Sequence, residues 1–116
     1  MSGINVRRLY GTLDLLILKT LNTAGSQHGA AIADLILEVS RGEIQIEEGA
    51  LYPALHRLQR GGLIEGEWRT STKKYRAKFY TLTAKGKKEL TRALKEWRAH
   101  TEALGRIFEI GWEQVR

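Results

Sequence analysis

The hydrophobic period of this chain changes at Gly61-Gly62, and that change narrows the folds open to it more than any other feature. Upstream, apolar residues recur at steps of three and four in short runs closed by glycine, the pattern of amphipathic helices. Leu13, Leu16, Ile17 and Leu21 share one face between a Thr12 N-cap and a stop at Gly25, with Asp14 near the positive end of the helix dipole. The spacing predicts a first helix from Leu13 to Ala24. A second pattern opens near Ser26 or His28, turns Ile32, Leu35, Ile36 and Val39 inward, and ends at Gly42. Ile44-Gln45-Ile46 alternates and predicts a short strand. The third helix is expected to start at Glu47 or Glu48 and to bury Leu51, Leu55 and Leu58. Pro53 lies inside it but near its start, and Gly49 adds no side chain to the crowding, so the helix is retained with a kink.

Downstream of the glycine pair, aromatic and branched residues dominate Leu63 to Arg69 and Tyr75 to Leu82, and a polar stretch joins them. This predicts two strands in a hairpin. Alternation does not settle which face is buried, and Trp68 and Phe79 are expected in the core. After Thr83, an N-cap candidate, Leu90, Leu94, Trp97, Thr101, Leu104 and Phe108 recur at alternating steps of four and three. A helix of over twenty residues at ~1.5 Å each outruns a domain of this size, so the seam is expected to be covered by a second copy. Those six residues are the expected dimer interface. The competing fate is a helix that breaks at Gly105 and folds back on its own domain. Ile107, Ile110, Trp112 and Val115 extend the apolar character toward the end.

Charge is as unevenly distributed as hydrophobicity. From Trp68 to Lys88 there are eight basic residues and no acidic one, leaving 11 of the 19 basic residues against all 13 acidic ones elsewhere. A localised positive surface stabilises a bound polyanion and speeds its approach, and a hairpin beside a short helix suits duplex DNA. With its leucines buried, the third helix would expose Ala50, Tyr52, Pro53, His56, Arg57 and Arg60, a mixture of cations, flat groups and small residues able to enter a major groove. Ser71, Lys73, Lys74, Arg76 and Lys78 on the hairpin are expected on phosphates or in a minor groove.

Other chemistries lack their residues. The 116 residues suit one domain, and the absence of cysteine removes disulfides, thiolate catalysis and Cys-ligated zinc. His28, His56 and His100 fall in separate elements, and no nucleophile motif, phosphate loop or metal-ligand spacing appears, so neither an enzyme nor a cofactor is expected. Leu13 to Leu21 is interrupted by Asp14, Lys19 and Thr20 and is shorter than the ~20 residues of a membrane span. The first residues lack the basic start and apolar run of a signal peptide, and a cytoplasmic location is expected.

Three helices followed by a hairpin is the order of a winged helix-turn-helix: a mainly α chain with a small β wing, here expected over residues 1–82, with the dimerisation helix over 83–116. The run Gly11-Thr12-Leu13-Asp14-Leu15-Leu16-Ile17-Leu18, the His28-Gly29 pair, Glu48-Gly49-Ala50-Leu51-Tyr52-Pro53-Ala54-Leu55-His56-Arg57-Leu58, and Arg76-Ala77-Lys78-Phe79-Tyr80-Thr81-Leu82-Thr83 with Gly86 resemble the PadR family of bacterial transcriptional regulators. The resemblance covers roughly residues 9 to 104. It implies a homodimeric repressor on a palindromic operator, with the third helix in the major groove and the wing beside it. Some members of that family bind flat aromatic effectors at the dimer interface, where Trp97 would supply a stacking face; packing in the core is the other role open to Trp97. Two departures stand out: Ala30 and Ala31 follow the His-Gly pair where many members carry an aromatic ring, and Thr72-Lys73-Lys74-Tyr75 is unusually basic. The competing reading is a winged-helix module that binds protein or RNA without operator specificity.

Overall fold

The computed structural model describes residues 12–70 and 74–109. In chain order they form α1 (Thr12–Ala24), β1 (Gln27–His28), α2 (Gly29–Val39), α3 (Glu48–Arg60), β2 (Ile64–Thr70), β3 (Arg76–Leu82) and α4 (Ala84–Glu109). Each helix boundary has a local cause. At Gly25 a positive φ of 79° turns the chain after its N–H has bonded to the Leu21 carbonyl at 3.0 Å. His28 caps α2 by accepting the Ala31 N–H on Nδ1 at 3.3 Å. A Schellman turn closes α3: Gly62 has a φ of 76°, its N–H reaches the Gln59 carbonyl, and the Leu63 N–H reaches the Leu58 carbonyl, each at 3.0 Å. Pro53 is accommodated within α3 as the sequence predicts.

The core is made where α1, α2 and α3 meet the base of the sheet. Ile17, Leu18 and Leu21 pack with Ile32, Ile36, Leu51, Ala54, Leu55 and Leu58, and Ile64, Tyr80 and Leu90 close the cluster. Three expectations are corrected. Val39 lies at the last turn of α2 and is 81% exposed, because the core ends one turn earlier at Ile36. Ile44 to Ile46 form no strand; Ile46 tucks against the core while Ile44 stays exposed. Trp68 is not a core residue, being 58% exposed on the wing, whereas Phe79 is half-buried with its ring edge-on to His28 at 5.5 Å.

The sheet has three strands rather than the expected two, in the order β1-β3-β2. β1 pairs antiparallel with β3 through Gln27 opposite Tyr80 and His28 opposite Phe79, and β2 pairs with β3 from Ile64 opposite Leu82 to Thr70 opposite Arg76. Because side chains alternate, Ile64, Gly66, Trp68 and Thr70 share a face with Leu82, Tyr80, Lys78 and Arg76. Ile64 and Tyr80 are buried, so this face leads from the core out along the wing.

α4 is fastened to the turn between α3 and β2. Thr83 caps it by accepting the Gly86 N–H at 2.9 Å, and the same hydroxyl donates to the Gly62 carbonyl at 2.7 Å. Lys85 donates from Nζ to the Gly61 carbonyl at 2.9 Å, giving the C-terminus of α3 a cation. Gly86 lies so close to the Leu63 carbonyl that any side chain there would overlap it. The helix continues through Gly105 without a break. No described helix is long and apolar enough to cross a membrane.

Candidate nucleic-acid interface

The leucine face of α3 is satisfied by the core, which leaves the other face to solvent. Ala50, Tyr52, Pro53, His56, Arg57 and Arg60 are all exposed there, the set the sequence predicts. Two of them also have work inside the molecule. The ring of Tyr52 lies against Gly29, whose missing side chain makes the room, and Tyr52 stays 46% exposed. Arg57 donates from Nη2 to Asp14 Oδ1 of α1 at 2.9 Å, so its guanidinium is tied to the neighbouring helix rather than free.

The wing stands on the same side as the end of this helix. Gln59 of α3 and Lys78 of β3 both crowd the space above Gly66 of β2, on the sheet face that carries Trp68, Lys78 and Arg76. Tyr80, on that face, is close enough to Tyr52 of α3 to feel it electrostatically: burial, and then Tyr52, push its phenol above the ordinary 10.0. Helix and wing therefore form one continuous surface. Lys74 and Arg76 are exposed on it and Lys78 is half-buried, while Ser71 and Lys73 lie outside the described residues. Lys74 adopts a φ of 65° where the chain enters β3.

Aromatic rings organise the wing cations. Arg76 lies over Trp68 at 5.4 Å, Lys78 over Tyr80 at 5.7 Å and, on the opposite face, Arg69 over Phe79 at 5.1 Å. Not every cation of the basic block is available to a polyanion. Arg69 pairs with Glu67 at 3.3 Å, and Lys85 serves the end of α3.

A search for relatives finds the same architecture. The model of the PadR-like transcriptional regulator family matches residues 17–92, from the core of α1 through the wing into α4. The chain belongs to the PadR-like family of transcriptional regulators. Among solved structures, a PadR family transcription regulator from Clostridium difficile R20291 is 31% identical with a TM-score of 0.73, covering 84% of this chain and 99% of its own. A transcriptional regulator from Clostridium thermocellum is 27% identical with a TM-score of 0.76, covering 86% and 96%. A PadR family regulator from Eggerthella lenta DSM 2243 is 27% identical with a TM-score of 0.74, covering 91% and 89%. This PadR-family chain is thus a winged helix-turn-helix transcription regulator and not an enzyme.

The rest of α4 in this PadR-family chain divides into a covered and an uncovered part. Leu90 is buried in its own domain's core and Leu94 packs partly against it, so the N-terminal half of the expected seam already has a partner in α1 and its neighbours. Trp97 and Leu104 are half-buried, and Thr101 and Phe108 are exposed, Phe108 at 77%. Between α1 and α4 lies a cleft of about 260 Å³ whose lining includes Asp14, Leu18, Leu58, Arg92, Trp97 and His100. Arg92 is clasped by Glu89 and by Glu96, whose hydrogen bonds hold the guanidinium even further from deprotonation than usual. His100 lies edge-on to Trp97 at 6.0 Å and is 2% exposed; neither ring nitrogen has a partner among the described residues. The sequence sets His100 in an element apart from His28 and His56 and does not place it in a site. The signal was its place three residues after Trp97 and four before Leu104, on the same helical stripe.

Proposed function

We propose that this chain acts as a homodimeric, sequence-specific DNA-binding repressor on a palindromic operator, with α3 in the major groove and the wing against the adjacent backbone. The observation that carries the reading is the continuity of the surface from Tyr52, His56 and Arg60 across Gln59 and Gly66 to Lys78 and Arg76. Phosphate contacts by the wing would set orientation, and the mixed polar face of α3 would read base edges. Two such surfaces held by paired α4 helices would meet successive grooves about one turn, ~34 Å, apart. The half-buried Trp97 and Leu104, with the exposed Thr101 and Phe108, are the proposed pairing surface, continuous with Leu94 and, inside each domain, Leu90.

The α1–α4 cleft is the proposed seat of a small aromatic effector that relieves repression. Trp97 offers a flat wall and His100 a polar atom pair without a partner among the described residues, in a space able to hold a ring compound. The cleft borders Asp14, which holds Arg57 of the reading helix. Occupation of the cleft would therefore be felt by the DNA-binding face.

Titration of a labelled duplex with the protein over a range of salt tests the reading. A repressor gives affinity that falls steeply with salt and differs between duplex sequences by a factor of ~10³ or more. A winged-helix module for protein or RNA gives neither, and that result would replace the proposal.

A further inference from the structure

Trp68 is a large apolar side chain that the fold leaves in water. It lies on the core-facing row of β2, two residues beyond Gly66 and four beyond buried Ile64, where the row has run past the end of the core. Burial is therefore not what the indole contributes. Its neighbour is Arg76, diagonal to it across the ladder, with the guanidinium carbon 5.4 Å from the ring centroid. A ring at that distance attracts the cation without engaging its N–H donors as a hydrogen-bond acceptor would. No described carboxylate pairs with Arg76, in contrast to Arg69, whose charge is matched by Glu67. Lys78 repeats the arrangement over Tyr80 on the same face, and Gln59 of α3 adjoins the row at Gly66.

We infer that Trp68 is a positioning residue of the DNA-binding face: its ring holds Arg76 with the N–H edge outward, toward a phosphate of duplex DNA beside the groove that α3 enters. A long side chain otherwise loses rotamer freedom on gripping a phosphate, and a ring that already orders it removes part of that cost. This assignment rests on the reading of the wing and α3 as a duplex-binding surface. It adds a residue that carries no charge and makes no base contact of its own.

The test is a double-variant cycle read by anisotropy of a labelled mixed-sequence duplex of about 30 base pairs across a salt series. Trp68→Ala and Arg76→Ala should each weaken binding by about two- to fivefold, the range of an exposed cation–ring contact. Trp68→Phe should recover most of the loss, because a benzene ring also stacks. The double variant should bind no more weakly than Arg76→Ala alone. Arg76→Ala should reduce the salt slope by about one ion, and Trp68→Ala by less. Wild-type affinity in Trp68→Ala would overturn the assignment, as would Trp68→Phe as weak as Trp68→Ala, or losses that multiply in the double variant. Those results leave the DNA-binding reading intact, whereas a wild-type chain that ignores duplex at every salt concentration sinks both.

Discussion

Arg57 serves two needs with one guanidinium. It stands on the exposed face of α3, where a bidentate donor suits guanine, yet it is held at 2.9 Å by Asp14 of α1. Arg57 is exposed and Asp14 half-buried, with solvent still reaching both, so the pair contributes no more than about 1 kcal/mol to stability. Asp14→Asn should therefore barely move the unfolding midpoint. It should tighten duplex binding by about two- to fivefold, since it releases a cation and removes a negative charge. Weaker binding would mean that Asp14 aims Arg57 rather than withholds it. The exposed set on α3 was legible in the sequence because Leu51, Leu55 and Leu58 fix which way the helix faces. Arg57's partner was not, because 43 residues separate it from Asp14 and only the packed fold brings them together. That Trp68 and Val39 lie outside the core is not legible for a related reason: composition marks a side chain as apolar but does not say where the core stops.

At the scale of elements, glycine and cap signals located the helices to within a few residues, since those signals act over one turn. β1 left no comparable trace. Two residues have no period, and Gln27 and His28 become a strand only because β3 lies alongside. The alternation in Ile44-Gln45-Ile46 points the other way, as no described strand is available to pair with it. The seat of α4 was half legible: the Thr83 cap could be read, but the close approach at Gly86 needs the Leu63 carbonyl in view. This contact has a test with a definite sign. Helix propensity alone makes Gly86→Ala stabilising by about 1 kcal/mol. The overlap with the Leu63 carbonyl should instead destabilise the domain by about 1–3 kcal/mol, and a raised thermal midpoint would refute the tight seat.

Across the whole molecule the shape is long, 64 × 31 × 23 Å, with a radius of gyration of 17.0 Å. A compact chain of this length would have about 13 Å. α4 accounts for the excess, because its 26 residues at ~1.5 Å each extend well past the core. The division expected at residues 82 and 83 blurs at this scale, since Gly86, Leu90 and Leu94 belong to the packing of the winged domain. The proposed pairing surface runs on from Trp97, and by Ile107 and Phe108 the helix is open to solvent. Trp97→Glu with Leu94→Glu should yield monomers that have lost specific DNA binding. Phe108→Glu, remote from the core, should weaken pairing without loosening the fold. Sedimentation of both variants as intact dimers would leave α4 without the proposed role.

Selection of bound duplexes from a random pool by the purified chain measures most directly whether α3 and the wing form one DNA-reading surface presented twice. A surface presented twice should enrich two inverted half-sites whose centres lie ~10–10.5 base pairs, or a multiple of that, apart. Enrichment of a single asymmetric site, or retention of all sequences alike, would contradict it.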